Sequence, residues 1–399
     1  MTVLRSSFTQ LARNTCNATP TKKIALNTAA SLYSQRRSIS AFGYTQAGAL
    51  VYHSYGPPTE KLSLHHYSIP PAYGNEITVK FLASPINPAD INQIEGVYPS
   101  KPELTRNLGT AEPAAVGGNE GVVEVVAVGG KVQGWKKGDW AIMRSTKFGT
   151  WRTHASATAE QLLKVPSDGS VTPIQAATIS VNPCTAYRML KDFVPLKEGE
   201  WFIQNGANSG VGRAAIQLGR IWGLKSINVV RDRPDIDELR EELEGLGADL
   251  VITDKELSDK SIKSRIERIT GGKGVGLALN CVGGDSATNL MRNLKHGGKI
   301  VTYGAMAKKP VTVPASLFIF KNISCHGFWV SVWSDMYPKE KEEMVNEIFE
   351  LYKSGQFKDV PIEKAIWKDD SEQSELLKAI EKSQTGFGGK KQVFVFDTK

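Results

Sequence analysis

Cysteine is scarce in this chain of 399 residues, which has only Cys16, Cys184, Cys281 and Cys325. No two of them form a C-x-x-C pair, and no histidine stands at finger spacing, which argues against a structural zinc site and a disulfide framework. We therefore expect the last three to be buried small hydrophobic residues in a reducing compartment. Long apolar runs are also missing. No stretch approaches the roughly 18 to 20 apolar residues that span a bilayer, so we expect no transmembrane helix.

Acidic residues are absent from the beginning of the chain, where the first one is Glu60. Residues 1–40 carry six Lys and Arg residues, and removing them reduces the formal net charge from +8 to +2. An Arg-containing, acid-free segment rich in Ser and Thr is typical of a mitochondrial transit peptide. We therefore predict that residues 1–40 are a transit peptide, cleaved just after Arg36 and Arg37. A disordered basic tail without a targeting function is the alternative.

The length and composition suit two soluble globular domains, with 41% hydrophobic and 23% charged residues. Up to about residue 175, Gly and Pro are frequent, which suits a small irregular β-barrel with strands at residues 49–52, 77–82, 122–128 and 140–143. Beyond Pro173, helices are predicted at residues 175–179 and 185–193, and strands then alternate with helices, which predicts a parallel sheet with helices on both faces. These strands are residues 201–204, 226–230, 250–252, 277–280 and 299–303, and the helices between them are residues 212–222, 234–246, 261–270 and 286–293. Helices at 338–354 and 371–385 and a strand at 392–396 follow.

Glycines at fixed intervals punctuate two of the predicted barrel strands, from Gly118-Asn119-Glu120-Gly121 to Gly138-Asp139. This pattern resembles the signature of medium-chain dehydrogenases and reductases. In their zinc-dependent branch a histidine occupies the position of Asn119, and the neighbourhood of Asn87 to Asp90 holds a cysteine ligand. An amide is a poor zinc ligand, and no cysteine is present there. The resemblance is therefore to a zinc-free branch, with no metal site.

A dinucleotide site is predicted where strand 201–204 runs into small residues and then into a helix that opens at Arg213. Ala207 and Ser209 occupy the first two glycine positions of the G-x-G-x-x-G fingerprint, and Gly212 occupies the third. Small residues let the backbone approach a pyrophosphate, and the N–H groups at the helix start compensate its charge. A tight turn without a ligand is the alternative, which the following βα repeats disfavour.

The next predicted strand ends at Val230 and is followed by Arg231, Asp232 and Arg233. This is the position at which the adenosine ribose is recognised, and arginines there accommodate the 2′-phosphate of NADP. Guanidinium groups form charge-assisted bonds to phosphate, so the trio predicts NADPH as the cofactor. Asp232 could pair with either arginine and position it. A solvated charge run before the next helix is the alternative.

Several further motifs are similar to those of the mitochondrial 2-enoyl thioester reductases, from about residue 46 to the C-terminus. They include Asn87-Pro88 through Val97-Tyr98-Pro99, Phe148 to His154, Ile179 to Pro183 and Gly327 to Val330. The prolines of the first motif predict a stiffened loop that carries its polar side chains. In this family the tyrosine matching Tyr98 is the catalytic residue. A neutral phenol donates well to an enolate oxyanion, because its ordinary pKa of about 10 keeps it protonated. A buried aromatic residue without a catalytic role is the alternative.

The resemblance also implies an architecture. A GroES-like catalytic β-barrel domain would comprise residues 41–183 and 331–399, and a Rossmann-type doubly wound nucleotide-binding domain would comprise residues 184–330. The C-terminal segment would rejoin the barrel. The resemblance further implies that the cofactor contacts Asn182, Asn208, Ser209, Gly210, Val211, Arg231, Asp232, Arg233, Tyr303, Gly304, Ala305, Met306, Phe328, Trp329, Val330 and Lys391.

The resemblance implies NADPH-dependent reduction of trans-2-enoyl thioesters on acyl carrier protein or coenzyme A, in mitochondrial fatty acid synthesis in the matrix. A quinone or enone reductase that needs no tyrosine acid is the first alternative. A regulator that binds nucleic acid is the second, which the charge of +2 beyond residue 40 and the lack of a basic helix disfavour. A homodimer is implied, in which the last strand of the nucleotide domain pairs across the axis, and the apolar run Leu317 to Phe320 suits that role.

Overall fold

The computed structural model describes residues 43–385 and 390–398. The predicted transit peptide and its cleavage site lie outside these residues. The strands, in chain order, are β1 (Thr45–Tyr52), β2 (Ser63–Ile69), β3 (Glu76–Pro85), β4 (Ala115–Val116), β5 (Val122–Val128), β6 (Trp140–Met143), β7 (His154–Thr158), β8 (Leu162–Val165), β9 (Trp201–Asn205), β10 (Lys225–Val230), β11 (Leu250–Thr253), β12 (Val275–Asn280), β13 (Leu294–Thr302), β14 (Ser324–Gly327), β15 (Ile362–Lys368) and β16 (Lys391–Asp397).

The helices lie mainly in the second half of the chain. They are α1 (Pro58–Lys61), α2 (Pro88–Ile94), α3 (Pro173–Thr178), α4 (Asn182–Asp192), α5 (Gly210–Ile221), α6 (Ile236–Leu246), α7 (Asp254–Ser258), α8 (Ser261–Ile269), α9 (Gly284–Arg292), α10 (Ala315–Lys321), α11 (Val330–Met336), α12 (Pro338–Lys353) and α13 (Gln373–Gln384). Within the described ranges, none of them combines the length and apolarity needed to cross a bilayer.

The first part of the chain and the two C-terminal strands form two sheets. One has the strand order β2-β1-β4, and the larger one has the order β15-β16-β3-β5-β6-β8, in which β7 also pairs with β3. The C-terminal strand β16 lies antiparallel to β3, with Val393 opposite Pro85 and Val395 opposite Ala83. The prediction that the C-terminal segment rejoins the barrel is therefore confirmed. Aromatic residues fill the space between the sheets, where Trp151 and Trp367 both pack edge-to-face on Phe394.

The third sheet is parallel throughout, with the strand order β11-β10-β9-β12-β13-β14. Its central strands are buried on both faces, as Ile203 and Ala278 show with no exposed surface. This burial explains why they read as short apolar runs. The strand order reverses between β9 and β12, and such a reversal opens a crevice at the carboxyl ends of the strands. The predicted alternation of strands and helices is confirmed here.

The barrel and the parallel sheet share one hydrophobic core. It includes Ala83 and Ile142 from the barrel strands, Leu218 from α5, and Met344 and Val345 from α12. Because helices α3, α4 and α12 bridge the two sheets, the residues at their ends are held against both the barrel and the crevice.

The structure corrects the prediction of a stiffened loop after Asn87. Residues 88–94 form helix α2, which Pro88 starts at its first position, where a missing N–H costs nothing. The Asp90 carboxylate accepts the Asn87 backbone N–H at 2.7 Å and so satisfies one of the free donors of the first turn. Only the segment after the helix, which contains Tyr98, is a loop.

The apolar run Leu317 to Phe320 was expected at the last strand of the parallel sheet, and this expectation is wrong. It forms helix α10, which ends at Asn322 in the left-handed conformation, with φ 49°. Four apolar residues carry no periodicity that distinguishes a helix from a strand. The edge strand is β14, which the sequence reading missed because Ser324–Gly327 has no β-branched residue. Cys325 on this strand is exposed, against expectation, whereas Cys184 and Cys281 are buried as expected.

Candidate active site

The dinucleotide turn lies between β9 and α5, at the carboxyl edge of the parallel sheet. The helix opens at Gly210, three residues before the predicted start, because the Ser209 hydroxyl caps it by accepting the Gly212 N–H at 3.2 Å. A Cβ atom at Gly212 would lie 2.5 Å from the Ala207 carbonyl oxygen, so no side chain fits at this close approach. A narrow turn with free N–H groups at a helix start is the geometry that a pyrophosphate needs.

Asn182 and Tyr303 reach this turn from other elements. Asn182 is the first residue of α4, and its amide would be 2.5 Å from a Cβ atom at Gly210. Tyr303 follows β13, and its hydroxyl is buried beside Ser209 and Cys281 without a hydrogen bond of good geometry to any described residue. Burial raises its pKa well above the ordinary value, so it is a protonated donor. An unsatisfied buried donor at a predicted cofactor turn fits a bound dinucleotide.

Five more of the predicted cofactor residues follow strands of the parallel sheet at the same edge. Asn208 accepts a hydrogen bond from Arg213 through its carbonyl, and Val211 is buried in the first turn of α5. Gly304, Ala305 and Met306 follow β13, where the Met306 N–H donates to the Cys281 carbonyl at 2.8 Å.

The trio after β10 forms ion pairs with residues further along the chain. Asp232 pairs with Lys255 at 2.5 Å. Arg233 pairs through two nitrogens with Asp235, at 2.5 Å each. Arg231 is exposed at the end of the strand next to β9. The structure thus places the two arginines directly after β10, at the predicted ribose position.

Tyr98 lies half-buried in the loop after α2, with its backbone N–H bonded to the Asn92 carbonyl at 3.1 Å. Its ring packs edge-to-face on Trp329, with the ring centroids 5.4 Å apart. Burial raises the pKa of the Tyr98 hydroxyl, while the nearby Trp329 indole and Ser331 hydroxyl act in the opposite direction. The phenol is therefore protonated at neutral pH and can donate a proton.

Phe328, Trp329 and Val330 connect β14 to α11 and supply an apolar wall. The Phe328 N–H donates to the Thr302 carbonyl at 3.0 Å, and its ring packs on Phe193. The Trp329 indole N–H is buried and forms no hydrogen bond of good geometry within the described part of the chain. This arrangement brings predicted residues from the barrel loop and the parallel sheet to one place.

Asn119, at the position of the zinc-ligating histidine, is engaged in three hydrogen bonds. Its amide nitrogen donates to Asp90 at 2.7 Å and to Gln93 at 2.9 Å, and its oxygen accepts the Lys147 N–H at 2.8 Å. Asn119 therefore ties α2 to the loop after β6. Residues 43–385 and 390–398 contain no cluster of three His, Cys, Asp or Glu side chains that could hold a metal ion.

Lys391 contacts the barrel side of the site instead of the dinucleotide turn. Its ammonium donates to the Asn87 side-chain oxygen at 2.5 Å and faces two buried carboxylates, Glu120 and Asp90. Burial lowers the pKa of Lys391, and burial raises the pKa of Asp90 to about 6 and also raises that of Glu120. One ammonium thus lies between two carboxylates, in a network beneath the site.

Glu120 couples this network to the cofactor side. One of its carboxylate oxygens accepts the Val181 N–H at 2.8 Å, immediately before Asn182, and the other accepts from the Asn87 amide at 2.9 Å. Sequence reasoning assigned no role to Glu120 or Asp90, although both stand in the quoted motifs. The signal that could have found them is a charged residue within an apolar strand or motif, since such groups are rarely buried unless paired.

The two sheets, the dinucleotide turn and the amide at the metal-ligand position define a nucleotide-dependent oxidoreductase of the medium-chain dehydrogenase and reductase type. Residues 74–167 match the model of the alcohol dehydrogenase GroES-like domain, and residues 210–349 match that of the zinc-binding dehydrogenase. The predicted fold class is thereby confirmed.

Relatives of similar sequence show which family within this class the chain belongs to. The chain is 50% identical over 349 residues to the mitochondrial enoyl-acyl-carrier-protein reductase of Yarrowia lipolytica, covering 86% of this chain and 91% of the relative. It is 48% identical over 310 residues to the human mitochondrial enzyme of the same name, covering 77% and 79%. The chain belongs to the family of mitochondrial enoyl-acyl-carrier-protein reductases.

Solved structures agree with this assignment. A complex of Etr1p with NADP and crotonyl-CoA superposes with a TM-score of 0.84 at 41% identity, covering 88% of this chain and 99% of that chain. The mitochondrial 2-enoyl thioester reductase Etr1p/Etr2p heterodimer from Candida tropicalis gives the same TM-score at 42% identity and the same coverage.

Proposed function

We propose that this protein catalyses the NADPH-dependent reduction of trans-2-enoyl thioesters, carried on acyl carrier protein or coenzyme A, to acyl thioesters. The observation that carries this proposal is the position of Tyr98, a protonated phenol packed on Trp329 where the barrel loop meets the parallel sheet. Relatives that are named for this reaction, and a similar structure with NADP and crotonyl-CoA, support the proposal.

Bound NADPH supplies a hydride to the β-carbon of the enoyl thioester. The residues at the turn hold the dinucleotide through backbone N–H groups around Ser209 and through the buried Tyr303 hydroxyl. Asn182, held against Gly210, orients it from the second side. Electron density moves onto the thioester oxygen, and Tyr98 donates a hydrogen bond to that developing oxyanion or a proton to the α-carbon.

NADPH rather than NADH is proposed because Arg231 and Arg233 lie after β10, at the position that recognises the ribose. The Asp232 carboxylate, which would otherwise favour the ribose hydroxyl of NADH, forms an ion pair with Lys255. A 2′-phosphate would receive charge-assisted hydrogen bonds from a guanidinium group.

We also propose the remaining organisation of the chain. Residues 1–40 serve as the transit peptide, and the enzyme works in the mitochondrial matrix, in agreement with the relatives named mitochondrial. Residues 41–183 and 331–399 form the catalytic domain, and residues 184–330 form the nucleotide-binding domain. The parallel sheet, which consists of β9 to β14 alone, supports this division.

A homodimer is proposed, with the contact at the β14 edge of the parallel sheet. Helix α10 beside this edge exposes 47% of Phe318, 70% of Ile319 and 75% of Phe320, an apolar surface that a second copy would cover. A charge at its centre, Ile319→Asp, should convert the dimer into a monomer that keeps its fold. Analytical ultracentrifugation measures this change. A wild-type monomer, or a variant that remains dimeric, would contradict the proposed contact.

The activity is tested by following NADPH oxidation by the full chain with trans-2-hexenoyl-coenzyme A, with NADH as the cofactor control. Tyr98→Phe keeps the ring contact with Trp329 and removes only the hydroxyl. Loss of one oxyanion donor typically lowers kcat by about 10² to 10³. Turnover that depends on NADPH and on the Tyr98 hydroxyl would support the proposal. Full activity of Tyr98→Phe, or turnover of quinones but not of any enoyl thioester, would favour the quinone reductase alternative.

A further inference from the structure

Gln93 lies in the last turn of α2 and is buried, with 2% of its surface exposed. Glutamine is a mostly exposed residue type, and a buried one needs hydrogen-bond partners at both ends of its amide. The amide nitrogen of Gln93 donates to the Ser100 carbonyl at 2.7 Å, and its oxygen accepts from the Asn119 amide nitrogen at 2.9 Å. The side chain of Gln93 therefore joins Asn119 to the loop that follows α2.

The directions of these hydrogen bonds are set by backbone groups that have only one role each. The Ser100 carbonyl can only accept, so the nitrogen of Gln93 faces it. The Lys147 backbone N–H can only donate, so the oxygen of Asn119 faces it, at 2.8 Å. The two amides thus form one chain of hydrogen bonds from the Lys147 N–H to the Ser100 carbonyl. Hydrogen bonds in such a chain polarise and strengthen one another.

The start of this chain is held in place on two sides of Asn119. Lys147 adopts the left-handed backbone conformation, with φ 74°, in which its N–H donates to Asn119. Residues with a side chain seldom adopt this conformation, and such strain is concentrated where a site needs a fixed backbone. On the other side, Asn119 donates to the buried Asp90 carboxylate at 2.7 Å. These two partners fix the direction in which the Asn119 amide points toward Gln93.

The chain of hydrogen bonds ends in the loop that carries Tyr98. The near side of this loop is attached to α2, because the Val97 and Tyr98 N–H groups both donate to the Asn92 carbonyl, at 3.0 and 3.1 Å. Gln93 attaches the far side of the loop at a point two residues beyond Tyr98. Tyr98 lies between these attachments and packs its ring on Trp329. The position of the Tyr98 hydroxyl therefore depends on both attachments.

A donor stabilises an oxyanion only if it is aimed at the place where the charge develops, and a misplacement of about 1 Å can lower the rate roughly 10²-fold. We propose that Gln93 is a positioning residue, which Asn119 orients and which fixes the loop so that the Tyr98 hydroxyl points at the reacting thioester. The residue at the metal-ligand position of the zinc-dependent branch then serves, in this chain, to orient the proton donor. This inference rests on the proposed role of Tyr98.

The test compares Gln93→Met with Gln217→Met in the full chain. Methionine keeps the length of the side chain and removes its amide. Gln217 is the matched control, because it is also a buried glutamine, 1% exposed, that bonds the backbone of another segment. Its oxygen accepts the Lys358 N–H at 2.7 Å, and its nitrogen donates to the Lys358 carbonyl at 3.2 Å. Both variants should lose stability to urea to a similar extent, but only Gln93→Met should lower kcat, by about 10- to 100-fold.

Two readouts separate positioning from a general loss of packing. Because Tyr98 acts mainly on the transition state, Gln93→Met should change the KM for the enoyl thioester, here trans-2-hexenoyl-coenzyme A, less than about threefold. The dissociation constant of NADPH, measured by nicotinamide fluorescence, should change less than about twofold, since the dinucleotide turn belongs to other segments. In the Tyr98→Phe background, adding Gln93→Met should lower kcat less than about twofold, because no hydroxyl is left to position.

Three results would overturn the inference. They are a Gln93→Met variant as fast as wild type, equal losses of kcat in Gln93→Met and Gln217→Met, and a loss of kcat that is undiminished in the Tyr98→Phe background. If Gln93→Met does not fold, Gln93→Asn takes its place. It keeps a buried amide on a stem one methylene shorter, too short to reach both partners, and the same results decide the matter.

Tyr98→Phe measured alone distinguishes failure of this inference from failure of the proposed function. If Tyr98→Phe is fully active with the enoyl thioester, its hydroxyl is not the donor, and the positioning role of Gln93 falls with it. If Tyr98→Phe is slow while Gln93→Met is as fast as wild type, the proposed function stands and the positioning role is wrong. Losses in both single variants that do not add in the double variant would support both proposals.

Discussion

Replacing Lys391 by methionine removes the charge between the two buried carboxylates while keeping an unbranched stem of similar length. The ammonium donates to Asn87 at 2.5 Å and faces Glu120 and Asp90, each of which is 1% exposed. With all three groups ionised the network carries one net negative charge, and Lys391→Met leaves two. Removing one partner from a buried ionic network typically costs about 3 to 5 kcal/mol, because an uncompensated charge remains.

The size of this loss should depend on pH in a defined direction. Lys391 lowers the pKa of Glu120 and of Asp90, so its removal raises both. The native variant then binds protons more tightly than the unfolded chain, and its stability relative to wild type falls as pH rises. The destabilisation should be nearly complete at about pH 8 and clearly smaller at about pH 5, where the carboxyl groups are protonated in the native variant.

Urea denaturation followed by tryptophan fluorescence measures the free energy of unfolding at the two pH values. Lys390→Met is the matched control, because Lys390 is exposed and its substitution should change the free energy by no more than about 0.5 kcal/mol. Adding Glu120→Gln to Lys391→Met removes one of the two carboxylates left without the ammonium and should recover part of the lost free energy of unfolding. A Lys391→Met variant as stable as Lys390→Met, or a loss equal at both pH values, would refute the assignment of a buried charge network.

Three further outcomes follow from the site. Arg231→Ala should raise the KM for NADPH roughly tenfold and leave the KM for NADH unchanged, since a hydrogen bond to a charged group contributes about 1.5 to 3 kcal/mol. Steady-state kinetics measure both values. An equal rise for both cofactors would contradict recognition of the 2′-phosphate. Gly212→Ala would place its Cβ atom 2.5 Å from the Ala207 carbonyl oxygen. The affinity for NADPH, measured by nicotinamide fluorescence, should therefore fall at least tenfold, or about 1.4 kcal/mol. A variant that binds NADPH as tightly as wild type would contradict this close approach of the backbone. Burial raises the pKa of Asp90 from 3.8 to about 6, so the contribution of Asp90 to stability should fall by about 3 kcal/mol as pH rises from about 4 to 6. Denaturation of wild type and Asp90→Asn across this pH range measures the difference in their free energies of unfolding. A difference that stays constant with pH would count against the raised pKa.

Much of the fold could be read from the sequence because its signals are local. The β-branched run of β5 and the strand and helix alternation after Pro173 depend on residues that are near neighbours in the chain. Gly212 is also predicted by its near neighbours, because the close approach of Ala207 within the same turn leaves no room for a Cβ atom. Where the local signal is weak, prediction failed, as with the short strand β14 and the apolar run that forms α10.

The candidate active site also has features that local sequence predicts and features that depend on contacts between distant segments. The sequence identifies Asn119 as a poor metal ligand, but not that it ties Asp90 and Gln93 to Lys147, because helix α2 and the loop after β6 are separate segments of the chain. Likewise, the sequence shows that Asp232 stands between two arginines, but not that it pairs with Lys255, which lies on helix α7.

The sequence by itself determined the fold class, the dinucleotide turn and the candidate proton donor, because composition, periodicity and short motifs act over a few residues. Only the tertiary structure decided which groups meet. Lys391 reaches Asn87 across 304 residues of chain, after β16 has returned to β3 in its antiparallel register. A small cavity lined by Asn119, Thr146, Ser180, Ser331 and Lys341 forms from five segments that the tertiary structure brings together. Such contacts depend on how whole sheets and helices pack, and packing depends on all the elements at once.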